Sequence, residues 1–240
     1  MKERPVLFNG DMVRAILDGR KTQTRRVMKP QPEPCDYVDE HGKPRGGHSW
    51  PSNIFQTMLH VEEELQNGKG DWVGLVGDAC PFGDIGDRLW VRETFMDLTG
   101  TGIEANTGLY EGYAYRADTP PGSLGDETRK EYKLKWTPSL HMPRKACRLV
   151  LEITNVRVER LNSISEEDAL AEGIRRTDNN FGNGPAYCDY MLANLNDVAE
   201  WYNRPSDSFI SLWQSIYGAE SWQHSPWVWV IEFKRVESQV

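Results

Sequence analysis

A single glycine divides the N-terminal segment, and the hand-over it makes constrains the fold more than any other feature. Before Gly19, residues Met12, Val13, Ile16 and Leu17 recur at three- and four-residue spacing, and Asn9 or Asp11 stands where an N-cap belongs. This is the pattern of a short helix with one apolar face. Gly19 is its natural stop, because a helix C-terminus favours a residue that tolerates positive φ. After it, Thr22 to Val27 is β-prone and polar on both faces. A helix therefore feeds a strand through a turn crowded with Arg20, Lys21, Arg25 and Arg26.

The crowding is local. Residues 11–30 hold six Lys/Arg and two Asp, a balance of +4 on a chain whose net charge is −8. A basic island on an acidic protein fits a confined anion or nucleotide pocket better than a broad nucleic-acid coat. No window approaches the roughly 18 apolar residues of a membrane helix. The opening Met-Lys-Glu-Arg-Pro has no apolar leader. A cytoplasmic chain with no membrane association is expected. Cys35, Cys80, Cys147 and Cys188 are scattered without a C-x-x-C pair, which disfavours a disulfide framework. Cys35, His41, His48 and Cys80 are of types that suit zinc, but their spacing matches no standard site, so neither metal nor cofactor is expected.

Strand patterns cover Pro5–Phe8, Arg88–Phe95, Leu109–Arg116, Cys147–Leu161 and Trp227–Phe233. Alternation in the second puts Leu89, Val91, Glu93 and Phe95 on one face. In Cys147–Leu161 the parity of apolar positions slips between Ile153 and Val156, which predicts a bulge or bend near Thr154-Asn155. Helices are expected at Ser165–Gly173, with Ser165 as N-cap and Asp168 at the capping-box position, and at Ser206–Tyr217, with Phe209, Leu212, Trp213 and Ile216 on one face. Residues 118–130 read as loop and Trp136–Lys145 as a surface segment. Proline and glycine punctuate 28–86, with a helical turn expected at His60–Gln66, and a second insertion spans 175–205, with Tyr190–Tyr202 helical. Short helices among more numerous strands predict an α+β chain, a single domain over 1–240 built on a small mixed or closed sheet with helices at its ends. No GxGxxG after a strand and no GxxxxGK[ST] occurs, so dinucleotide and P-loop readings lack support.

Three residues stand out chemically. Glu172 falls in the last turn of its helix, where the dipole disfavours a carboxylate and raises its pKa, as suits a general acid or base. Lys21 sits among cations that disfavour its charged form, and a neutral amine near the Thr24 hydroxyl can activate it. Each also reads as an ordinary exposed or strand residue. In a regular strand residues 21 and 24 point to opposite faces, so they converge only if Lys21 lies in the turn before the strand or a bulge intervenes. Arg25, Arg26, Arg92, Arg144, Lys145 and Arg148 are phosphate-binding candidates, and Tyr113, Tyr115 and Trp136 are candidates for stacking on a base.

The stretch Ile16-Leu-Asp-Gly-Arg-Lys-Thr-Gln-Thr-Arg-Arg26 resembles the signature of ASCH domains, a PUA-like superfamily of small β-barrels linked to RNA. Gly86–Arg92, Leu161–Ile174 and Val228–Lys234 resemble three further blocks of that family, in the same order. The whole chain is similar to uncharacterised ASCH proteins of bacteriophages and prophages. In its Gly19–Thr24 motif it resembles the bacterial N4-acetylcytidine amidohydrolases. That resemblance implies a PUA-like barrel, with a hydrolase acting on an acylated cytidine-type base, nucleoside or nucleotide. Lys21, Thr24 and Glu172 would be the catalytic groups, Arg20, Arg25, Arg26, Arg92 and Glu93 would contact substrate, and no cofactor would be needed. A non-catalytic RNA- or DNA-binding module and a metal-independent ribonuclease are the alternatives. The chain departs from the compact enzymes in its two long insertions and in the charge added by Arg25-Arg26.

Overall fold

The computed structural model describes residues 1–34, 38, 40–42, 48–51, 58–60, 79–104, 108, 111–178 and 184–236. In chain order the strands are β1 (Glu3–Leu7), β2 (Gln23–Val27), β3 (Glu33–Pro34), β4 (His48–Pro51), β5 (Met58–His60), β6 (Arg88–Arg92), β7 (Phe95–Asp97), β8 (Tyr113–Tyr115), β9 (Val150–Arg160), β10 (Arg176–Thr177), β11 (Ala186–Tyr187) and β12 (Trp227–Val236). The α-helices are α1 (Gly10–Leu17), α2 (Leu124–Glu131), α3 (Glu166–Ala171) and α4 (Pro205–Tyr217). The fold is α+β. Its main sheet has five strands in the order β1-β6-β9-β12-β2 and mixes parallel and antiparallel pairs.

The small closed barrel expected from the sequence is not formed. β1 and β2 are the two edges of an open sheet, each five residues long. Closing five strands requires steep tilt and stagger, and such short edges offer little ladder to close with.

The chain divides into two compact units. The first comprises Met1–Gly19, Asp87–Glu152 and Arg235–Val240. Here β1 lies parallel to β6, in register from Glu3 opposite Arg88 to Leu7 opposite Arg92. The alternation expected for β6 holds, with Leu89, Val91, Glu93 and Phe95 all buried, although the strand breaks after Arg92 and β7 pairs separately with β8. Asn9 caps α1 by accepting from the Met12 amide, and Gly19 ends the turn with φ +74°. α2 replaces the loop expected at 118–130. It buries only Asp126 and is held by local ion pairs from Asp126 to Arg129 and Lys130 and from Glu127 to Lys130. Without an apolar stripe it has no sequence periodicity to detect.

The second unit comprises Arg20–Gly86 and Ile153–Lys234. β2 and β12 pair antiparallel, and α3 and α4 pack on one face of this pair around Leu161, Ala169, Phe209, Trp213, Val228 and Val230. The parity slip of β9 is visible in its burial, since Leu151 and Ile153 are buried and then Val156 and Val158. Ser165 caps α3 through the Asp168 amide, as the sequence predicts, and Gly173 follows with φ +85°. On α4, Phe209, Leu212 and Trp213 are buried, but Ile216 is exposed because that last turn extends past the core. Within 28–86, described segments form an antiparallel sheet β3-β4-β5, a pairing not expected from so irregular a stretch. Residues 61–66 of the expected helical turn, Leu109 and Tyr110 of an expected strand, and Cys35 lie outside the described residues. Tyr190–Tyr202 is not helical. It forms turns and a single 3-10 turn at Val198–Glu200, anchored by Trp201 against Ala186 and Cys188.

Candidate functional site

Lys21 precedes β2 and forms an isolated antiparallel bridge with Glu172, the C-cap residue of α3. The Thr22 amide donates to the Ala171 carbonyl and the Phe233 amide donates to the Thr22 carbonyl, so the turn after Gly19 is clamped between α3 and β12. The bridge brings the two side chains together. Lys21 Nζ donates to Glu172 Oε2 at 2.7 Å and to the Glu172 carbonyl at 2.9 Å, with 0% and 4% of the two side chains exposed.

Arg25 reaches the same carboxylate. Its Nη1 donates to Glu172 Oε1 at 3.2 Å, and its Nη2 donates to Glu159 at 3.0 Å and to Asp168 at 2.8 Å. Arg157 extends the network to Glu159, Asp168 and Glu232. Gln23 donates to the Asp168 carbonyl and aligns α3 on β2. The cluster therefore joins Lys21, Arg25 and Arg157 to Glu159, Asp168, Glu172 and Glu232. Among the described residues this network sets four acids against three bases, so it is an ionic core of paired charges and not the positive hollow that the sequence's basic island suggests.

Burial lowers the pKa of Lys21, and Arg26 and Arg25 push it the same way, against the pull of Glu172. A lowered ammonium pKa was expected from neighbouring cations, but desolvation is the larger cause. Burial also opposes the ionised Asp168, yet hydrogen bonds and charge from Arg25 and Arg157 outweigh it and hold that carboxyl below its usual range. A carboxylate depressed in this way stabilises the fold fully above its unfolded pKa of about 3.9, and the contribution disappears as pH falls through the lower folded value. Denaturation of wild type and Asp168→Asn should therefore differ most near neutral pH and converge as the pH drops below about 4.

Thr24 is buried but faces the other way. Register places Arg25 opposite Val230, a member of the cluster under α3 and α4, and Thr24 opposite Ile231. Alternation then gives Gln23, Arg25 and Val27 to the helix-covered face and Thr24 and Arg26 to the opposite one. Among the described residues no hydrogen bond joins the Thr24 hydroxyl to Lys21 or Glu172. Of the three candidate catalytic residues, the structure brings two together.

The remaining candidates divide. Arg20 donates to the Gly173 and Ile174 carbonyls, directly beside the pair. Arg92 and Glu93 belong to the first unit. There Arg92 lies over the Trp90 ring at 5.5 Å, and Glu93 is bound through both oxygens by Arg148. Burial pushes the Glu93 carboxyl up despite Arg148. The aromatic candidates are occupied by packing. Tyr115 donates to the Ala146 carbonyl under the Arg148 guanidinium, Tyr113 meets Phe95 edge-on, and Trp136 packs against Met96, Leu98 and Ala114. Arg144 pairs with Glu3. His48 meets Arg160 and the edge of Trp227, and no group of metal-ligating side chains occurs among the described residues.

Sequence reasoning missed Arg157, Glu159 and Glu232. The signal was present: on β9 the buried Val156 and Val158 leave Arg157 and Glu159 together on the alternate face, where charged residues need partners. No protein-family model matches this chain, and no curated protein or solved structure is significantly similar to it.

Proposed function

We propose that the chain is a PUA-like, ASCH-type hydrolase that cleaves the amide of an acylated cytidine-type base, nucleoside or nucleotide, with Lys21 and Glu172 as its proton-handling pair. The observation that carries this reading is the 2.7 Å contact between a buried amine and a buried carboxylate from positions 151 residues apart. Desolvation favours the neutral amine, and a neutral amine is a competent base. In the proposed reaction water adds to the acyl carbonyl and gives its proton to the pair. The carbon–nitrogen bond then breaks, and the pair returns the proton to the leaving exocyclic nitrogen, so that a carboxylic acid and the free base are released. Thr24, on the opposite face of β2, is not needed as the nucleophile in this scheme.

The test is incubation of the full chain with N4-acetylcytidine and related acylated nucleosides and nucleotides, with products separated by chromatography. Deacylated base is the expected product. A folded protein that leaves every acylated compound intact overturns the reading and favours a binding module in which the same ion network is purely structural.

A further inference from the structure

The bridge between Lys21 and Glu172 has a consequence for the residues that flank it. The chain entering it carries Arg20, and the chain leaving it carries Arg175 and Arg176. All three line one cavity of about 430 Å³ in the second unit, together with Thr177, Asn196, Val198 and Trp201. None of the described lining residues is acidic, and the side chains that can hydrogen-bond there are overwhelmingly donors.

The cavity has a built wall. Trp201 is 9% exposed and supports the Arg175 guanidinium, which lies 5.4 Å from the ring centroid. Asn196 fixes Arg175 Nη2 at 3.3 Å, and the Arg175 amide is held by the Tyr190 hydroxyl at 2.8 Å. The rest of the Arg175 fork has no partner among the described residues. Arg176 is tied through Nε and Nη2 to a single oxygen of Asp178, and among the described residues its Nη1 has no hydrogen-bond partner. Arg20 is anchored by the two carbonyls that follow Glu172. Three arginines line one hollow and Asp178 pairs with Arg176 alone, so an anion with several acceptor oxygens finds guanidinium donors there.

We infer that this cavity, built by Arg20 with residues 175–177 and 196–201, is a phosphate-binding site that holds the phosphoryl group of a nucleotide, with Arg20 next in sequence to Lys21 of the proposed catalytic pair. The inference deepens the proposed function by selecting a phosphorylated substrate over a free nucleoside. Its basis is the arginine cavity, so it is testable by binding alone. The site also differs from the sequence expectation that Arg25 would meet phosphate, since the Arg25 side chain is fully buried among carboxylates.

The experiment is calorimetric titration of the full chain with inorganic phosphate, cytidine 5′-monophosphate and cytidine, repeated with Arg175→Gln and Arg176→Gln. Arg176→Gln alters an exposed side chain and guards against loss of folding, which thermal denaturation of each variant checks. Expected are binding of phosphate and the monophosphate, weaker binding of cytidine, and a loss of about tenfold or more in phosphate affinity for each variant. Equal affinity for cytidine and its monophosphate, no phosphate binding, or folded variants that bind phosphate as wild type does would each overturn the inference. Phosphate binding that the variants lose, in a protein that hydrolyses no acylated substrate, would uphold the site and remove the hydrolase reading alone.

Discussion

Glu172→Ala is expected to destabilise the second unit by about 3–5 kcal/mol, the usual cost of removing one partner from a buried ion pair. Two side chains lose a shared acceptor at once, because Lys21 Nζ and Arg25 Nη1 converge on the two oxygens of this one carboxylate. Lys21 keeps the Glu172 backbone carbonyl, and Arg25 keeps Glu159 and Asp168, so the loss falls mainly on Lys21. A neutral lysine is the cheapest escape, and the variant's Lys21 pKa should fall further than burial already lowers it. Urea denaturation followed by tryptophan fluorescence measures the effect. The double variant Lys21→Met/Glu172→Leu should recover much of the loss, since replacing both members of a buried pair by apolar groups is often close to neutral. A single variant within about 0.5 kcal/mol of wild type would mean that the pair is not buried as described.

Much of the local structure was legible because it depends on neighbours in sequence. Asn9, Gly19, Ser165 and Gly173 mark helix ends through caps and positive φ that only the adjacent residues determine. The parity slip in β9 and the apolar face of α4 follow from spacing alone. What failed depends on partners distant in the chain. Arg25 reads as a surface cation ready for phosphate because nothing near it announces Glu159, Asp168 and Glu172, which lie more than 130 residues on. The expected barrel failed for the same reason, since whether the edges of a sheet meet is set by tertiary packing and not by alternation within strands. α2 was missed because ion pairs rather than an apolar stripe support it.

The candidate site was half legible on physical grounds. The conflict between residues 21 and 24 follows from the two-residue period of a strand, and the structure settles it by giving Lys21 to the bridge with Glu172 and Thr24 to the other face of β2. The position of Glu172 at the end of its helix was readable, but its role as the shared acceptor of a lysine and an arginine was not.

The proposed chemistry assigns the decisive proton transfer to Lys21, and its removal carries the second large expected effect. Positioned general acid–base groups contribute about 10²–10⁴-fold to rate. Lys21→Met preserves the stem that fills the buried space and removes the amine, and pairing it with Glu172→Gln keeps an uncompensated carboxylate out of the core. The direct measurement is the rate of base release from the acylated cytidine-type substrate by wild type, by this double variant and by Thr24→Val, each confirmed folded by circular dichroism. Expected are turnover by wild type, a loss of at least about a hundredfold in the double variant, and a far smaller change for Thr24→Val. Equal rates in wild type and the double variant, or a loss confined to Thr24→Val, would rule out Lys21 and Glu172 as the proton-handling pair.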